Sequence, residues 1–169
     1  MCGRAYQTYS EEELCLRYLN EKAKNNPMNG FVPNYNLSPT QKSPIVFRED
    51  GELRIGFFRW GLVPFWAKDV KAADKYSLIN AKAEDIDEKR SFKEPFLRRR
   101  CIVPFSGFFE WQRTDGGPKR PYAISLKGDP IMSLAGVWER WKSKSTNEEV
   151  FSFSIITTSA NSLVAKIHN

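Results

Sequence analysis

The stretch IVFREDGELRIGFFRW, residues 45–60, decides the fold. Its first apolar run predicts a strand at Ile45–Phe47, and its second predicts a strand from about Leu53 to Trp60. Asp50-Gly51 lies between the two runs, and this pair is a strong signal for the tight turn of a β-hairpin. The sequence therefore predicts that the core contains antiparallel strands.

Further short strands are predicted along the chain. Alternating or buried apolar runs are typical of strands at Ser77–Ala81, Gly107–Trp111, Tyr122–Leu126, Ile131–Val137 and Val150–Thr158. The polar segment Trp138–Glu149 is predicted to be a loop.

Few helices are predicted. Ser10 and Glu13 read as a capping box, and the helix after it should run to about Lys24. Shorter helices are expected near Phe92–Leu97 and at Ala160–Ile167. We therefore expect an α+β protein, a single domain over residues 1–169, with a largely antiparallel, barrel-like sheet and a few flanking helices.

Composition limits the class of protein. The chain has 169 residues and 41% hydrophobic residues, enough for one core, and it has no apolar run of transmembrane length. We expect a soluble cytoplasmic protein, nucleoid-associated if bacterial, and a monomer. The net charge of +6 favours a polyanionic partner, nucleic acid first, although a solvated basic surface would give the same charge. The three cysteines show no disulfide or metal spacing, so neither a metal nor another cofactor is predicted.

The N-terminus carries the most distinctive chemistry. Cys2 follows Met1, and removal of Met1 would leave an α-amine and a thiol on adjacent carbons. Their ordinary pKa values are about 8 and about 8.5, so both are partly available as nucleophiles at neutral pH. An aldehyde can form a Schiff base with the amine, and the thiol can then close a five-membered thiazolidine. A small second residue also occurs in many chains without such a role.

Two aromatic segments add candidate residues. Trp66 follows a strand and precedes a basic loop, which suits stacking on single-stranded bases, although core aromatics beneath a loop fit equally well. Glu110 lies within the aromatic strand Gly107–Trp111, where burial suits a general acid or base. A strand glutamate held in a salt bridge is the alternative for Glu110.

The ordered set of these motifs resembles the SOS response-associated peptidase (SRAP) family. The matching segments are Met1–Arg4, Asn36–Pro39, Trp60–Pro64 with Trp66, Ile79–Glu84, Arg100–Pro104, Gly107–Trp111, Ala135–Trp138, Thr157–Asn161 and His168. They cover nearly the whole chain. Each is weak alone, but the order, anchored by cysteine at position two, is specific.

The resemblance implies a function in the DNA damage and SOS responses. Family members bind single-stranded DNA and trap the aldehyde of an abasic deoxyribose as a reversible thiazolidine on the N-terminal cysteine. By resemblance, Cys2 is the nucleophile, Asn80 orients it or the sugar, and Glu110 shuttles protons. His168 acts beside Glu110 as acid or base, a role that would also serve a lyase activity. The implied DNA contacts are Arg4, Pro39, Trp66, Lys82 and Thr157.

Two departures from the family pattern stand out. Lys82 occupies a position where the family usually has arginine, so a bidentate grip on phosphate is lost. The sequence also ends just after His168, where the family continues with Arg-Met-Pro and several tens of residues. We therefore expect a domain truncated at its C-terminus.

Two other functions fit the same residues. The first is a thiol peptidase that uses Cys2 with Glu110 or His168, for which the Met1–Cys2 bond would be a substrate. The second is a noncovalent single-stranded DNA-binding module. Replacement of Cys2 separates these alternatives, because only the covalent trap needs both its amine and its thiol.

Overall fold

The structure is a computed structural model that describes residues 2–20 and 31–167. Within these ranges the chain forms ten strands, three α-helices and two short 3-10 turns. The strands are β1 Ala5–Gln7, β2 Asn34–Leu37, β3 Lys42–Glu49, β4 Glu52–Trp60, β5 Asn80–Lys82, β6 Arg100–Phe105, β7 Gly107–Gln112, β8 Arg120–Ile124, β9 Met132–Lys142 and β10 Glu149–Thr157. The helices are α1 Glu11–Leu19, α2 Val70–Asp74 and α3 Lys93–Arg98, and the 3-10 turns are Ala83–Asp85 and Val164–Lys166.

The predicted hairpin is confirmed. Strands β3 and β4 pair antiparallel from Lys42↔Arg59 to Glu49↔Glu52. Asp50 and Gly51 join them with φ angles of 51° and 84°. Both residues therefore adopt the left-handed backbone that a two-residue type I′ turn requires.

The hairpin forms one side of a closed five-stranded barrel. The strand order is β4-β3-β6-β9-β10, and β10 returns to β4 through a parallel pairing at Phe153↔Trp60. Where β4 ends, β5 continues the parallel pairing along β10, with Asn80 opposite Ile155. The largely antiparallel, barrel-like sheet and the α+β class are confirmed, and closure removes exposed sheet edges.

A second sheet brings the N-terminus beside the aromatic strand. Its order is β2-β1-β7-β8, and Ala5 of β1 lies opposite Phe108 of β7. Gly107 makes this close packing possible, because an added Cβ there would collide with the Tyr6 hydroxyl and the Ile124 carbonyl. The sheet therefore fixes the chain that leads to Cys2 against β7.

The barrel interior is aromatic. The fully buried Trp60 packs against Phe105 and Phe153, with ring centroids 5.6 and 6.5 Å apart. Cys2 belongs to the same buried cluster and is only 7% exposed. The first residues of the chain are thus anchored in the main core.

Helix α1 begins as predicted and ends early. Glu13 N–H donates to Ser10 Oγ at 3.1 Å and Ser10 N–H donates to Glu13 Oε2 at 2.7 Å, which confirms the capping box. The helix ends at Leu19, because Asn20 is left-handed with φ 54°. The expected extension to Lys24 lies outside the described residues. Among the described residues, no helix is both long and apolar enough to cross a membrane.

The predicted loop at Trp138–Glu149 is wrong in its first part. Strand β9 continues to Lys142 and pairs with β10 along this length. Trp141 is buried, and its indole N–H donates to Ala67 O at 2.9 Å. The polar Glu139 is stabilised by an ion pair with Arg99 at 3.0 Å. Tertiary partners therefore hold a polar-looking segment in the sheet.

Other element bounds also differ from prediction. The expected strand Ser77–Ala81 begins later, as β5 at Asn80, because Ser77 turns the chain with φ 49°. The helix expected at Ala160–Ile167 is only the 3-10 turn Val164–Lys166, since Asn161 Oδ1 caps Leu163 N–H and Val164 N–H in a preceding turn.

Candidate functional site

Cys2 lies at the junction of the two sheets. It precedes β1 and is buried, and its thiol contacts the Arg4 carbonyl oxygen at 3.9 Å. The register of β1 with β7, extended from Ala5↔Phe108, sets Gly3 opposite Glu110. Cys2 and Glu110 are therefore neighbours, although 108 positions separate them in the sequence.

Asn80 holds the Cys2 backbone. Its side-chain Nδ2 donates to the Cys2 carbonyl oxygen at 2.8 Å. The other side-chain atom, Oδ1, is buried and has no hydrogen-bond partner among the described residues. Leaving a buried carbonyl oxygen without a hydrogen bond costs free energy. The Asn80 Oδ1 can therefore accept a hydrogen bond from a ligand that enters the site.

Glu110 is a buried carboxylate on β7. It is 5% exposed, whereas the next residue, Trp111, is 39% exposed. Strand alternation therefore turns Glu110 inward and Trp111 outward, as the sequence predicts. Across the strand pair, Tyr122 of β8 lies opposite Glu110.

The Cys2 thiol is less acidic than an ordinary cysteine. The pKa of this thiol is raised from its ordinary 9.0 to about 12, mainly by burial; a backbone hydrogen bond at Arg4 lowers the pKa, and the charge of the nearby Glu110 carboxylate raises it. The thiol is therefore protonated at neutral pH, unlike the partly ionised group expected from the sequence. A reaction at this sulfur needs a base to accept its proton.

The segment that leads to His168 is tied to β7. Gln112 Nε2 donates to the Lys166 carbonyl oxygen at 2.7 Å. The Tyr122 hydroxyl donates to Gln112 Oε1 at 3.1 Å and so orients the amide. His168 itself lies outside the described residues. Sequence reasoning missed Gln112 and Tyr122, and their only signal was alternation, which places Gln112 on the same face of β7 as Glu110.

Arg4 and Pro39 both lie close to β2. Arg4 Nη1 donates to Asn36 Oδ1 at 3.3 Å, which turns the guanidinium toward the exposed side of the small sheet. Pro39 lies in the turn after β2, and the next residue, Thr40, is left-handed with φ 76°. Pro39 and Ile79 line a small cavity of about 160 Å³, so this turn borders the strand that carries Asn80.

Lys82 and Thr157 are brought together by strand pairing. They are register partners of β5 and β10, two residues beyond Asn80. Glu84, another residue that the sequence reasoning gave no role, accepts a hydrogen bond from Ser159 N–H at 3.2 Å. The pKa of the Glu84 carboxyl is below its usual range, because the carboxylate accepts hydrogen bonds from the backbone N–H groups of Glu84 and Ser159. This contact fixes the chain just after Thr157.

Trp66 lies in the loop after β4. Its ring packs edge-on against Tyr76 with centroids 5.3 Å apart, and the Arg90 guanidinium lies 5.4 Å from the ring centroid. Its indole nitrogen is buried without a partner among the described residues. Trp66 is thus half-buried, and the exposed Tyr76 continues its aromatic surface outward.

The geometry brings Cys2, Asn80 and Glu110 together. Two strands of different sheets, β5 and β7, present the amide and the carboxylate to Cys2, three residues before β1. In the described part of the chain, no set of three His, Cys, Asp or Glu side chains forms a metal-binding cluster. The arrangement can orient a nucleophile, accept its proton and donate a hydrogen bond to its backbone.

Comparison with known proteins gives a consistent result. The family profile described as "SOS response associated peptidase (SRAP)" matches residues 1–169. The chain is 37% identical over its whole length to the abasic site processing protein YoqW of Bacillus subtilis and covers 73% of that protein. It is 29% identical to the abasic site processing protein HMCES of Pongo abelii over 82% of this chain and 49% of that protein.

A solved structure has the same fold. The crystal structure of a protein from Bacteroides thetaiotaomicron superposes with a TM-score of 0.86 at 35% sequence identity. The match covers 98% of this chain and 72% of that one.

Proposed function

This chain belongs to the SOS response-associated peptidase family, and we propose that it captures abasic sites in single-stranded DNA covalently through Cys2. The observation that carries the proposal is the convergence of Asn80 and Glu110 on the residue that follows Met1. Relatives named abasic site processing proteins support abasic DNA as the substrate. In this proposal the protein acts as a monomer in the DNA damage response and shields the lesion.

The first step uses the amine. After removal of Met1, the Cys2 α-amine attacks the aldehyde carbon of the ring-opened abasic sugar and forms a carbinolamine. Loss of the former aldehyde oxygen as water gives a Schiff base, in which a C=N bond replaces the C=O bond. The Oδ1 of Asn80 supports this step, because it has no hydrogen-bond partner in the described part of the chain and can accept a hydrogen bond from the amine or from a sugar hydroxyl.

The second step uses the thiol. The sulfur adds to the imine carbon, the C–S bond forms, and the thiol proton moves to the nitrogen to give a thiazolidine. Because burial keeps the Cys2 thiol protonated at neutral pH, ring closure needs a proton carrier. Glu110 is suited to this role, since its carboxylate is buried next to Cys2, and it would return the proton when the cross-link reverses.

His168 is proposed as a second acid or base, acting on the sugar or its 3′ phosphate. The hydrogen bond from Gln112 to Lys166 supports this role, because it holds the chain two residues before His168 beside the strand of Glu110. The same group would promote β-elimination, which gives a residual lyase activity. Two groups in one pocket can divide donor and acceptor roles when their environments differ.

The proposed path of the DNA follows the remaining candidates. Arg4 and Lys82 would contact phosphates, Trp66 would stack near the lesion, and Pro39 would part the strands at a junction. Thr157 would line the pocket beside Lys82, its register partner. Stacking and phosphate contacts together favour single-stranded over duplex DNA and make binding sensitive to salt.

A thiol peptidase acting on Met1–Cys2 is a weaker candidate. A conventional cysteine peptidase uses only a thiol, so it gives no role to the α-amine that removal of Met1 would leave on Cys2. A noncovalent DNA-binding module would leave the buried Asn80–Cys2 contact without a role in binding.

The decisive experiment is a denaturing gel of Met1-free protein mixed with single-stranded DNA that carries one abasic site. We expect a shifted band that survives denaturation and is absent in Cys2→Ser, which keeps the amine but cannot form the thiazolidine. Borohydride should trap the Schiff base of Cys2→Ser with the same DNA. The absence of a shifted band with Met1-free protein would overturn the covalent proposal, and DNA binding that persists without such a band would favour the noncovalent module.

A further inference from the structure

A basic cleft lies beside the proposed covalent site. Its volume is about 550 Å³, and Glu110 is one of the residues that line it. One wall is the β7–β8 hairpin with Trp111, Arg113 and Lys119, and the other is the chain at Lys166 and Ile167. We call this feature the hairpin cleft. None of its basic residues is among the DNA contacts proposed above.

The charge of the hairpin cleft suits an anion. Arg113, Lys119 and Lys166 are all exposed. Within residues 2–20 and 31–167, none of these three cations forms an ion pair with a carboxylate. By contrast, Arg54, Arg59 and Arg140 of the barrel strands each form an ion pair with a carboxylate, as Arg140 does with Glu149 at 2.6 Å. The cleft therefore presents three unneutralised positive charges.

The hairpin cleft also carries an exposed aromatic ring. Trp111 is 39% exposed, while Trp60 and Trp141 are at most 2% exposed. An exposed tryptophan among cations is the combination that binds single-stranded nucleic acid, because the ring stacks on a base and the cations contact phosphates.

The two walls of the hairpin cleft are held together. Gln112 donates to the Lys166 carbonyl oxygen at 2.7 Å, and the Tyr122 hydroxyl fixes the Gln112 amide at 3.1 Å. A cleft whose walls are joined by hydrogen bonds loses less conformational entropy when a ligand binds.

From these observations we infer that the hairpin cleft binds the single-stranded DNA that flanks the lesion on one side. Arg113, Lys119 and Lys166 contact successive phosphates, and Trp111 stacks on a base. The inference rests on the proposed function, because it takes Glu110, which lines the cleft, to mark the position of the abasic sugar. The inference also gives the bound strand a direction. Nucleotides on one side of the lesion enter the hairpin cleft, and nucleotides on the other side do not.

The test uses two fluorescein-labelled oligonucleotides. Each carries one tetrahydrofuran abasic analogue, which has no aldehyde and cannot form a Schiff base. One has about ten thymidines only on the 5′ side and the other only on the 3′ side, a length within the usual range for single-strand binding folds. Fluorescence anisotropy then gives the affinity for each side separately.

The double variant Arg113→Glu/Lys119→Glu removes the charge of the cleft. We expect it to bind one oligonucleotide at least about tenfold more weakly and the other within about twofold of the wild type. The slope of log Kd against log salt should fall by about 1.4 for the affected oligonucleotide, since two phosphate contacts are lost. The matched control Lys127→Glu/Lys144→Glu makes the same change in net charge at exposed positions outside the cleft. It should lower the affinity for both oligonucleotides equally and only slightly.

A second variant tests stacking. Trp111→Ala should lower the affinity for the affected oligonucleotide about fivefold or more. It should have no effect when the flanking thymidines are replaced by tetrahydrofuran units, which have phosphates but no bases. Equal losses for the 5′ and 3′ oligonucleotides, or an equal loss in the control pair, would overturn the inference, with circular dichroism verifying that every variant is folded.

Failure here is distinct from failure of the proposed function. A chain that cross-links an authentic abasic site but shows no side-specific loss in these variants lacks only the hairpin-cleft contact. A chain that shows the side-specific loss but never cross-links binds DNA through the cleft without covalent capture.

Discussion

Asn80 joins the barrel to the N-terminus: its Nδ2 donates to the Cys2 carbonyl oxygen at 2.8 Å, and its Oδ1 remains buried without a partner among the described residues. The first contact fixes the backbone of the proposed nucleophile. The second leaves an acceptor within the site. In the proposed reaction, Nδ2 of Asn80 thus positions Cys2, and Oδ1 accepts a hydrogen bond from the amine or the sugar.

Asn80→Asp should therefore slow cross-linking. Aspartate keeps the shape but cannot donate to the Cys2 carbonyl oxygen, and it places a negative oxygen against it. We expect a single-turnover rate roughly tenfold to a hundredfold lower, in line with about 1.5–3 kcal/mol for a buried contact. Asn147→Asp, at an exposed position in the loop between β9 and β10, is the matched control. Equal rates in the wild type and Asn80→Asp would remove Asn80 from the mechanism.

The Cys2 thiol predicts a pH dependence of stability. Its pKa in the folded chain is about 12 against an ordinary 9.0, so above pH 9 the unfolded chain releases a proton that the folded chain keeps. The stabilising contribution is complete below pH 9 and is lost as pH rises toward 12, by up to about 1.4 kcal/mol per pH unit.

The measurement is urea unfolding of the wild type and Cys2→Ala between pH 8 and about 11. Both proteins are produced with an inhibitor of methionine aminopeptidase, so that Met1 is retained in each. The difference between their free energies of unfolding isolates the Cys2 contribution from those of other buried groups. A difference that stays constant with pH would show that the thiol ionises normally.

Gln112→Glu should impair the segment that leads to His168. Glutamate can still accept from the Tyr122 hydroxyl but cannot donate to the Lys166 carbonyl oxygen. We expect slower cross-linking and slower reversal even at saturating DNA, because the bond to Lys166 is lost. Noncovalent binding of single strands should weaken as well, since Gln112 lines the hairpin cleft and glutamate adds a negative charge there. Tyr122→Phe should show a smaller defect of the same kind. A loss confined to DNA affinity would contradict the positioning role.

Lys82→Arg should strengthen DNA binding. Arginine offers a bidentate contact to phosphate that lysine cannot form. We expect an affinity for single strands about twofold to fivefold higher in anisotropy titrations, equivalent to about 0.5–1 kcal/mol. Lys71→Arg, at an exposed position on α2, controls for the change of residue type. An affinity unchanged at Lys82, or raised equally at Lys71, would place Lys82 outside the DNA path.

Trp141 should matter for stability and Trp111 should not. Trp141→Phe removes a buried N–H donor to Ala67 and leaves a small cavity, so the free energy of unfolding should fall by about 2 kcal/mol. Trp111→Phe, at an exposed site, should change it by less than about 0.5 kcal/mol. Urea unfolding measures both, and a similar loss at the two positions would argue against the assigned burial.

The sequence by itself determined the central hairpin turn and the start of the first helix. Asp50-Gly51 between two apolar runs predicted the hairpin, and Ser10 with Glu13 predicted the start of α1, because turn and cap chemistry depends on neighbouring residues only. The ordered motifs also identified Cys2, Asn80 and Glu110 as candidates. Where a cue was local, as at Asn20, the helix end could have been found from the sequence too.

Only the tertiary structure decided what those residues touch. The register of β1 with β7 brings Gly3 opposite Glu110, and the return of β10 to β4 and β5 carries Asn80 to Cys2. Trp141 lies in a strand and its indole donates to Ala67 O. Because Ala67 is distant in sequence, the local pattern around Trp141 could not predict this contact. Burial of the Cys2 thiol, and with it the raised pKa, follows from the packed core around it. These are non-local contacts, and strand pairing rather than residue type sets them.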